Sequence, residues 1–357
     1  MSVLPGIGIA AGDNNTIEVA SAFDGEEVIL YETVSKEWWE EVKRTEEIHR
    51  EVSKQYLDLP EITSVSITGS NEEIEGHTEL QIRAMYDSDI VDLSYVDSIV
   101  PESVDGVNIE TIEAPPDELQ CTLRGTNDPV RGGWITAVEG GGGGTLCARA
   151  YWESTDTLTM LTAAHVAAGQ GKTGCDSSPI GNRLSQSSSW APSREIGSVL
   201  NYHESYDWAA IEIENNDLDF SGHVQRSENN SINLVGSYTN YAKLIDDFDP
   251  VYKRGATTQF QSGYCTAYNE SANLDCVTFN GEGVEVEVGQ TAAGDSGGPT
   301  YTIINNDAFL VSLHAVGRGS LGDVAECSPT DARERPRSVG LSSEFLSDSG
   351  FRFGRTS

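Results

Sequence analysis

Gly294-Asp295-Ser296-Gly297-Gly298-Pro299 is the stretch on which the reading of this chain turns. A serine set between glycines, after an aspartate and before a proline, suits a strained turn that presents one hydroxyl. The glycines permit positive φ and let another main chain approach closely. The same residue types also build ordinary surface turns, so other segments must decide. One is Leu161-Thr162-Ala163-Ala164-His165-Val166. Its β-prone run from Leu158 to Leu161 ends in small residues and then a histidine, which places an imidazole at the end of a strand. His49, His77, His203, His223 and His314 lack that setting. The other segment is Tyr206-Asp207-Trp208-Ala209-Ala210-Ile211, an aspartate leading into an apolar strand. Alone it would read as a strand-start residue.

Together the three segments resemble the chymotrypsin-like serine peptidases, whose blocks read TAAH, D-[IV]-A and GDSGGP in that order. The match is close at His165 and Ser296 and looser at Asp207, where Trp208 stands in place of the usual aliphatic residue. Gly294 to Gly298 also satisfies G-x-S-x-G, the nucleophile elbow of α/β-hydrolases. That fold runs Ser, Asp or Glu, then His, whereas the chymotrypsin-like order is His, Asp, Ser. Only His314 follows Ser296, too soon for the intervening elements. The elbow reading is rejected.

The resemblance implies a mainly β protein: two six-stranded antiparallel β-barrels of the chymotrypsin-like fold. His165 and Asp207 would sit on the first barrel (about 119–226) and Ser296 on the second (about 230–345). An alcohol is protonated at neutral pH, so Ser296 needs a base within hydrogen-bond reach. His165 would take that proton and return it to the leaving amine, and Asp207 would hold the imidazole tautomer. Backbone N–H groups of Gly294 and Ser296 would form the oxyanion hole. In zymogen-type relatives the aspartate matching Asp295 pairs with an amino terminus freed by cleavage. No Ile-Val-Gly-Gly-like activation site occurs here, so a side-chain cation or local hydrogen bond must serve, and Arg131 is the candidate. Gln290, six before Ser296, is the expected base of the S1 pocket; being neutral, it gives no reason to expect cleavage after Lys or Arg. Ser312 is the expected match to the serine of the pocket-lining strand, and His314 is a candidate for an acidic side chain or a structural histidine. The implied activity is a serine endopeptidase acting on protein or peptide, with no cofactor. A catalytically silent or self-processing binding protein, and an esterase on the same fold, are the alternatives.

The 357-residue chain carries 57 acidic against 22 basic residues, a formal charge of −35. The acids are scattered and Trp, Tyr, Ile and Val recur throughout, which excludes a disordered polyacid. Such self-repulsion opposes the compact state in dilute buffer and is relieved by screening. The pattern resembles proteins that work in molar salt. It excludes nucleic acid and anionic membranes as expected partners. No run approaches the roughly 18–20 apolar residues of a membrane span. Met1 to Ala11 lacks the basic n-region of a signal peptide, so a cytoplasmic location is expected, with non-standard secretion open. Six cysteines form an even set. Cys265 and Cys276 flank what reads as a hairpin and form a plausible local disulfide, while Cys121, Cys147, Cys175 and Cys327 have no readable spacing. No His/Cys metal pattern occurs, so no zinc site is expected.

Ahead of the protease region, residues 1–117 read as a small α/β domain. Residues 3–34 alternate as short strands. Ser35 caps a helix to about residue 57, with Trp38, Val42, Thr45, Ile48 and Val52 on one face. Strands at 62–68, 79–86 and 107–113 and a short helix at 93–99 complete it, in an order that resembles a leader domain of some prokaryotic trypsin-like proteins. Ala114-Pro115-Pro116-Asp117 reads as a linker. In the protease region, 118–357, Gly140 to Gly144 reads as a hairpin loop, since no phosphate-loop lysine follows. Val339–Leu346 is expected to be a closing helix.

Overall fold

The computed structural model describes residues 15–59, 61–88, 90–114, 117–118, 129–169, 178–187, 190–227, 230–274, 277–289, 291–292, 294–318 and 337–354. Outside them fall Gln290, Cys121, Cys175, Cys276 and Cys327, the stretch Met1–Ala11, and Pro115 and Pro116.

The alternating opening sequence folds as a hairpin, β1 (Thr16–Asp24) and β2 (Glu27–Ser35). Ser35 then caps α1 (Lys36–Tyr56), its hydroxyl accepting from the Trp38 N–H, which satisfies one orphan donor of the first turn. The three- and four-residue spacing puts Trp38, Val42, Thr45, Ile48 and Val52 on the buried face. Next come β3 (Ile62–Ile74), β4 (His77–Tyr86), α2 (Leu93–Ile99), β5 (Ser103–Val104), β6 (Val107–Glu113) and β7 (Asp117–Glu118). Trp38 donates its indole N–H to the Thr78 carbonyl at 2.9 Å and stacks on His77. It is core, as burial of a large aromatic with its polar atom satisfied predicts.

The chain continues through β8 (Val130–Gly132), β9 (Ile135–Val138), β10 (Gly143–Thr145), β11 (Arg149–Trp152), β12 (Thr157–Thr162) and α3 (Ala164–Ala168). Then follow β13 (Arg183–Ser185), β14 (Glu195–His203), β15 (Trp208–Glu212), β16 (Phe220–Ser227), β17 (Asn230–Tyr238) and α4 (Tyr241–Asp246). The last elements are β18 (Pro250–Gly255), β19 (Gln259–Leu274), β20 (Val277–Val288), β21 (Pro299–Ile304), β22 (Asp307–Arg318), β23 (Arg337–Ser342), α5 (Ser343–Asp348) and β24 (Phe351–Phe353).

The molecule is mainly β. As expected of a two-barrel protein, the described strands fall into two sheets that form partial barrels, an eight-stranded one, β10-β9-β13-β14-β15-β12-β11-β24, and a sixteen-stranded one. The larger sheet is continuous across position 114: β1 pairs with β17, and β3 pairs antiparallel with β19. A buried ion network crosses the same seam. Arg83 on β4 donates to Glu285 on β20 at 2.8 Å, and Arg318 on β22 reaches both Glu285 (3.0 Å) and Glu270 on β19 (2.7 Å). Burial works to raise the Glu285 pKa, but the charges of Arg83, Arg318 and Arg337 outweigh it and hold it at about 2. Between the two sheets Leu161, Ala210, Trp208, Leu310, Leu313, Phe351 and Phe353 form one apolar core, each large side chain contributing roughly 1.5–3 kcal/mol by leaving water.

Two expectations are corrected. The 339–346 segment is strand before it is helix: Val339 pairs with Glu285 and Val316, and α5 starts only at Ser343. Cys265 carries a free thiol that donates to the Ala267 carbonyl. It pairs with Val286, whereas the hairpin closes beyond Leu274 opposite Val277. Nine residues of strand at ~3.3 Å each separate Cys265 from that end, and a disulfide tolerates only about 7 Å between Cα atoms.

Candidate active site

Each sheet supplies part of the site. The small residues Ala163 and Ala164 let the chain turn from β12 into α3, where His165 is the second residue. Asp207, between β14 and β15, holds this turn three ways. Its carbonyl accepts from Ala164 N–H at 3.1 Å, its Oδ1 from His165 N–H at 2.9 Å, and its Oδ2 lies 2.7 Å from His165 Nδ1. Asp207 is buried and has φ +53, a conformation that costs a non-glycine residue energy and clusters at functional positions. Trp208 turns into the core edge-on to Phe351, at 5.0 Å between centroids. The unusual residue beside Asp207 is therefore packing.

Ser296 sits on the loop between β20 and β21 of the larger sheet. Gly294 and Gly297 have φ of +95 and +85, and a Cβ on Gly297 would lie 2.3 Å from the Thr145 carbonyl oxygen. Only glycine fits there. Thr145 ties this loop to the other sheet: its N–H donates to the Ser296 carbonyl at 2.8 Å and its hydroxyl to the Gly294 carbonyl at 2.6 Å. Among the described residues, neither the Gly294 nor the Ser296 N–H has an acceptor.

The serine and histidine are not hydrogen-bonded here. Ser296 is fully buried and donates its hydroxyl to the Ala315 carbonyl at 3.1 Å. His165 Nε2 is buried with no hydrogen-bond partner among the described residues. Acyl transfer requires the hydroxyl to leave Ala315 and turn toward Nε2, and resting geometries are often looser than reacting ones.

Asp295 answers the question of the missing terminal amine. The cation is Lys253, on β18: its Nζ lies 2.5 Å from Asp295 Oδ2, both side chains wholly buried. The carboxylate also accepts from Thr258 Oγ1 (2.6 Å) and from the N–H groups of Thr257, Thr258 and Ala292 (3.0, 3.0 and 3.1 Å). Burial raises the Asp295 pKa, but the charge and hydrogen bond of Lys253 and the Thr258 hydroxyl outweigh it and hold it below the usual carboxylate value. Arg131 is elsewhere, donating to Gln225 Oε1 at 3.1 Å.

On β22 the residue that meets the Ser296 hydroxyl is Ala315. Ser312 lies three residues earlier, buried opposite Thr300 and Ser342. His314 is fully buried between Ser338 Oγ (2.6 Å from Nδ1) and Thr291 Oγ1 (3.1 Å from Nε2). Burial first, then Lys253, push its pKa well below the usual value. Its backbone brackets the serine loop, accepting from Gly297 N–H and donating to the Gly298 carbonyl. A neutral imidazole with both nitrogens engaged suits a structural role better than recognition of an anion. Lys253 and Ala315 were not singled out by the sequence; a lysine in the otherwise apolar Val251-Tyr252-Lys253 run was the available signal.

Among solved structures, Thermobifida fusca protease A matches 64% of this chain and 99% of its own length, with TM-score 0.45 and 16% identity. A serine protease described as glutamic acid specific, using a histidine triad in substrate binding, matches 63% of this chain and 100% of its own, with TM-score 0.45 and 17% identity. Cellulomonas bogoriensis chymotrypsin matches 63% and 98%, with TM-score 0.42 and 17% identity. No family profile and no curated protein matches the sequence.

Proposed function

We propose that this chain is a serine endopeptidase adapted to high salt. The observation that carries the reading is the doubly held Asp207–His165 pair on one sheet and a glycine-framed Ser296 loop tied to that same sheet through Thr145, in the chain order His, Asp, Ser. Ser296 Oγ attacks the scissile carbonyl while His165 Nε2 takes its proton. The Gly294 and Ser296 N–H groups stabilise the oxyanion, and the protonated imidazole then delivers the proton to the leaving amine. Water repeats the sequence on the acyl-enzyme. The buried Lys253–Asp295 pair holds the loop in shape without a freed amino terminus, so no activating cleavage near an Ile-Val-Gly-Gly motif is required. The charge of −35 supports work in salt concentrated enough to screen self-repulsion.

A binding protein on the same scaffold is the second reading, favoured by the Ser296 hydroxyl being spent on Ala315. Labelling with a fluorophosphonate, followed by peptide mapping, separates them. Modification at Ser296 that is lost in His165→Ala supports the hydrolase; an unlabelled, folded protein contradicts it. Comparing turnover of matched amide and ester substrates then distinguishes peptidase from esterase.

A further inference from the structure

The C-terminal half of α1 and the β19–β20 hairpin enclose a polar pocket of about 400 Å³ whose lining includes Arg50, Ser53, Lys54, Asn269, Ser271 and Asn280, a size within the range of small-molecule sites. Neither His165 nor Ser296 lines it. Arg50 and Lys54 lie one turn apart, so both cations project from one face of the helix. Elsewhere on α1, Lys36 pairs with Glu40 and Arg44 with Glu41. Arg50 and Lys54 form no ion pair with any described carboxylate, in a chain with 57 acidic residues. Arg50 spends only its Nε, on the Glu46 carbonyl at 3.3 Å. On the facing wall Ser271 is 1% exposed, and its hydroxyl has no hydrogen-bond partner among the described residues. An unpaired buried hydroxyl is costly, so this one calls for a partner from solution. Asn269, held at φ +49 where β19 shifts register between Ala267 and Glu270, adds a side-chain amide that likewise has no described partner.

From this lining we propose that the pocket binds a small, multiply charged oxyanion, a phosphate or a polycarboxylate. The terminal nitrogens of Arg50 offer a fork of donors to two oxygens and Lys54 adds a compact charge, while Ser271 and Asn269 donate from the other wall. His49, also in the lining, is not a third cation. Burial holds its pKa at about 4, and its Nε2 lies 3.2 Å from the Val65 carbonyl oxygen and 3.1 Å from Ser53 Oγ. Asp58 and the carbonyl end of α1 oppose an anion, so two cations against one carboxylate leave a modest attraction. The charge of −35 repels a long polyanion, whereas a single small anion reaches the pocket once salt screens that field. Occupancy would join α1 to the β19–β20 hairpin, and so residues before position 114 to those after it. The site does not depend on the serine-peptidase reading.

The test is calorimetric titration of the full chain in molar KCl with inorganic phosphate and, separately, with citrate. At least one of the two should saturate at one site per chain, and the tighter of them names the chemistry. Arg50→Gln and Lys54→Gln, both at exposed positions, should each weaken binding about tenfold, the loss of one charge-assisted hydrogen bond. Lys36→Gln removes the same charge from the same helix outside the pocket and should leave the affinity unchanged. Ser271→Ala, which deletes a hydroxyl that bonds nothing in the free chain, should weaken binding without lowering Tm. Heats that never saturate with either anion overturn the inference. So does a saturating site whose affinity is the same in the Arg50→Gln/Lys54→Gln double variant, or one that Lys36→Gln weakens as much as Arg50→Gln does.

Discussion

Replacing Lys253 by methionine keeps the unbranched shape, one atom shorter, and removes the charge that faces Asp295. The carboxylate would retain four neutral donors, from Thr257, Thr258 (twice) and Ala292, but no counter-charge in a site with no exposure. Breaking a buried pair from one side costs about 3–5 kcal/mol, because the remaining ion is uncompensated. At about 2–4 °C per kcal/mol for chains of somewhat smaller size, that is a fall in Tm of about 10 °C. Asp295 lies between Gly294 and Ser296, so its displacement also misplaces the N–H groups proposed as oxyanion donors, and losing one such donor lowers kcat about 10²–10³-fold. The pH dependence gives a signature. In wild type the Asp295 pKa is depressed, so its contribution is present above the unfolded carboxylate value near ~3.9 and is lost as pH falls below it. In Lys253→Met burial dominates and the pKa rises, so stability declines with increasing pH instead. Thermal unfolding from pH 4 to 8 of wild type, Lys253→Met, and Lys253→Met combined with Asp295→Asn reads all of this. The double variant should recover much of the lost Tm. A Lys253→Met protein within about 1 °C of wild type at neutral pH, far short of the cost of an orphaned buried ion, would refute the argument.

Three further outcomes are expected. Burial, acting against Tyr268, Arg50 and Lys43, pushes Glu46 on α1 up to about 7; burial, then Glu46 and Asp348, push Glu344 on α5 up to about 8. Both folded pKa values exceed the unfolded one, so their contribution is full below pH ~4.3 and is lost as pH rises through 7–8; Glu344→Gln should flatten the fall in Tm between pH 5 and 9, and an unchanged slope would contradict the pairing. Folding and activity should rise from dilute buffer to molar KCl, as expected if −35 charges repel one another, and insensitivity to salt would remove the halophilic part of the proposal. Treatment with EDTA should leave activity unchanged; its loss would reveal a metal requirement.

Local chemistry is what the sequence made legible. Ser35 and the spacing of Trp38, Val42, Thr45, Ile48 and Val52 mark α1 because a cap and one apolar face lie within a single segment. His165, Asp207 and Ser296 were legible because each sits in a short motif, and the structure brings His165 and Asp207 within 2.7 Å. What stayed hidden depends on partners remote in the chain. Lys253 meets Asp295 across 42 residues, and the strand pairing that joins β3 to β19 spans nearly 200, leaving no local period to read. Bulges in β19 and β22 shift register. Resemblance to a pocket-lining strand selected Ser312, whereas Ala315 meets the Ser296 hydroxyl, and the length of the β19–β20 hairpin made Cys265 look closer to its tip than it is.

The most direct measurement is casein hydrolysis in about 2–3 M KCl, where exposed charges are screened beyond ~3 Å, by wild type and Ser296→Ala. The account predicts cleavage by wild type and none by the variant, with the variant's Tm unchanged. Equal cleavage by both proteins, or none by a folded wild type, would contradict it.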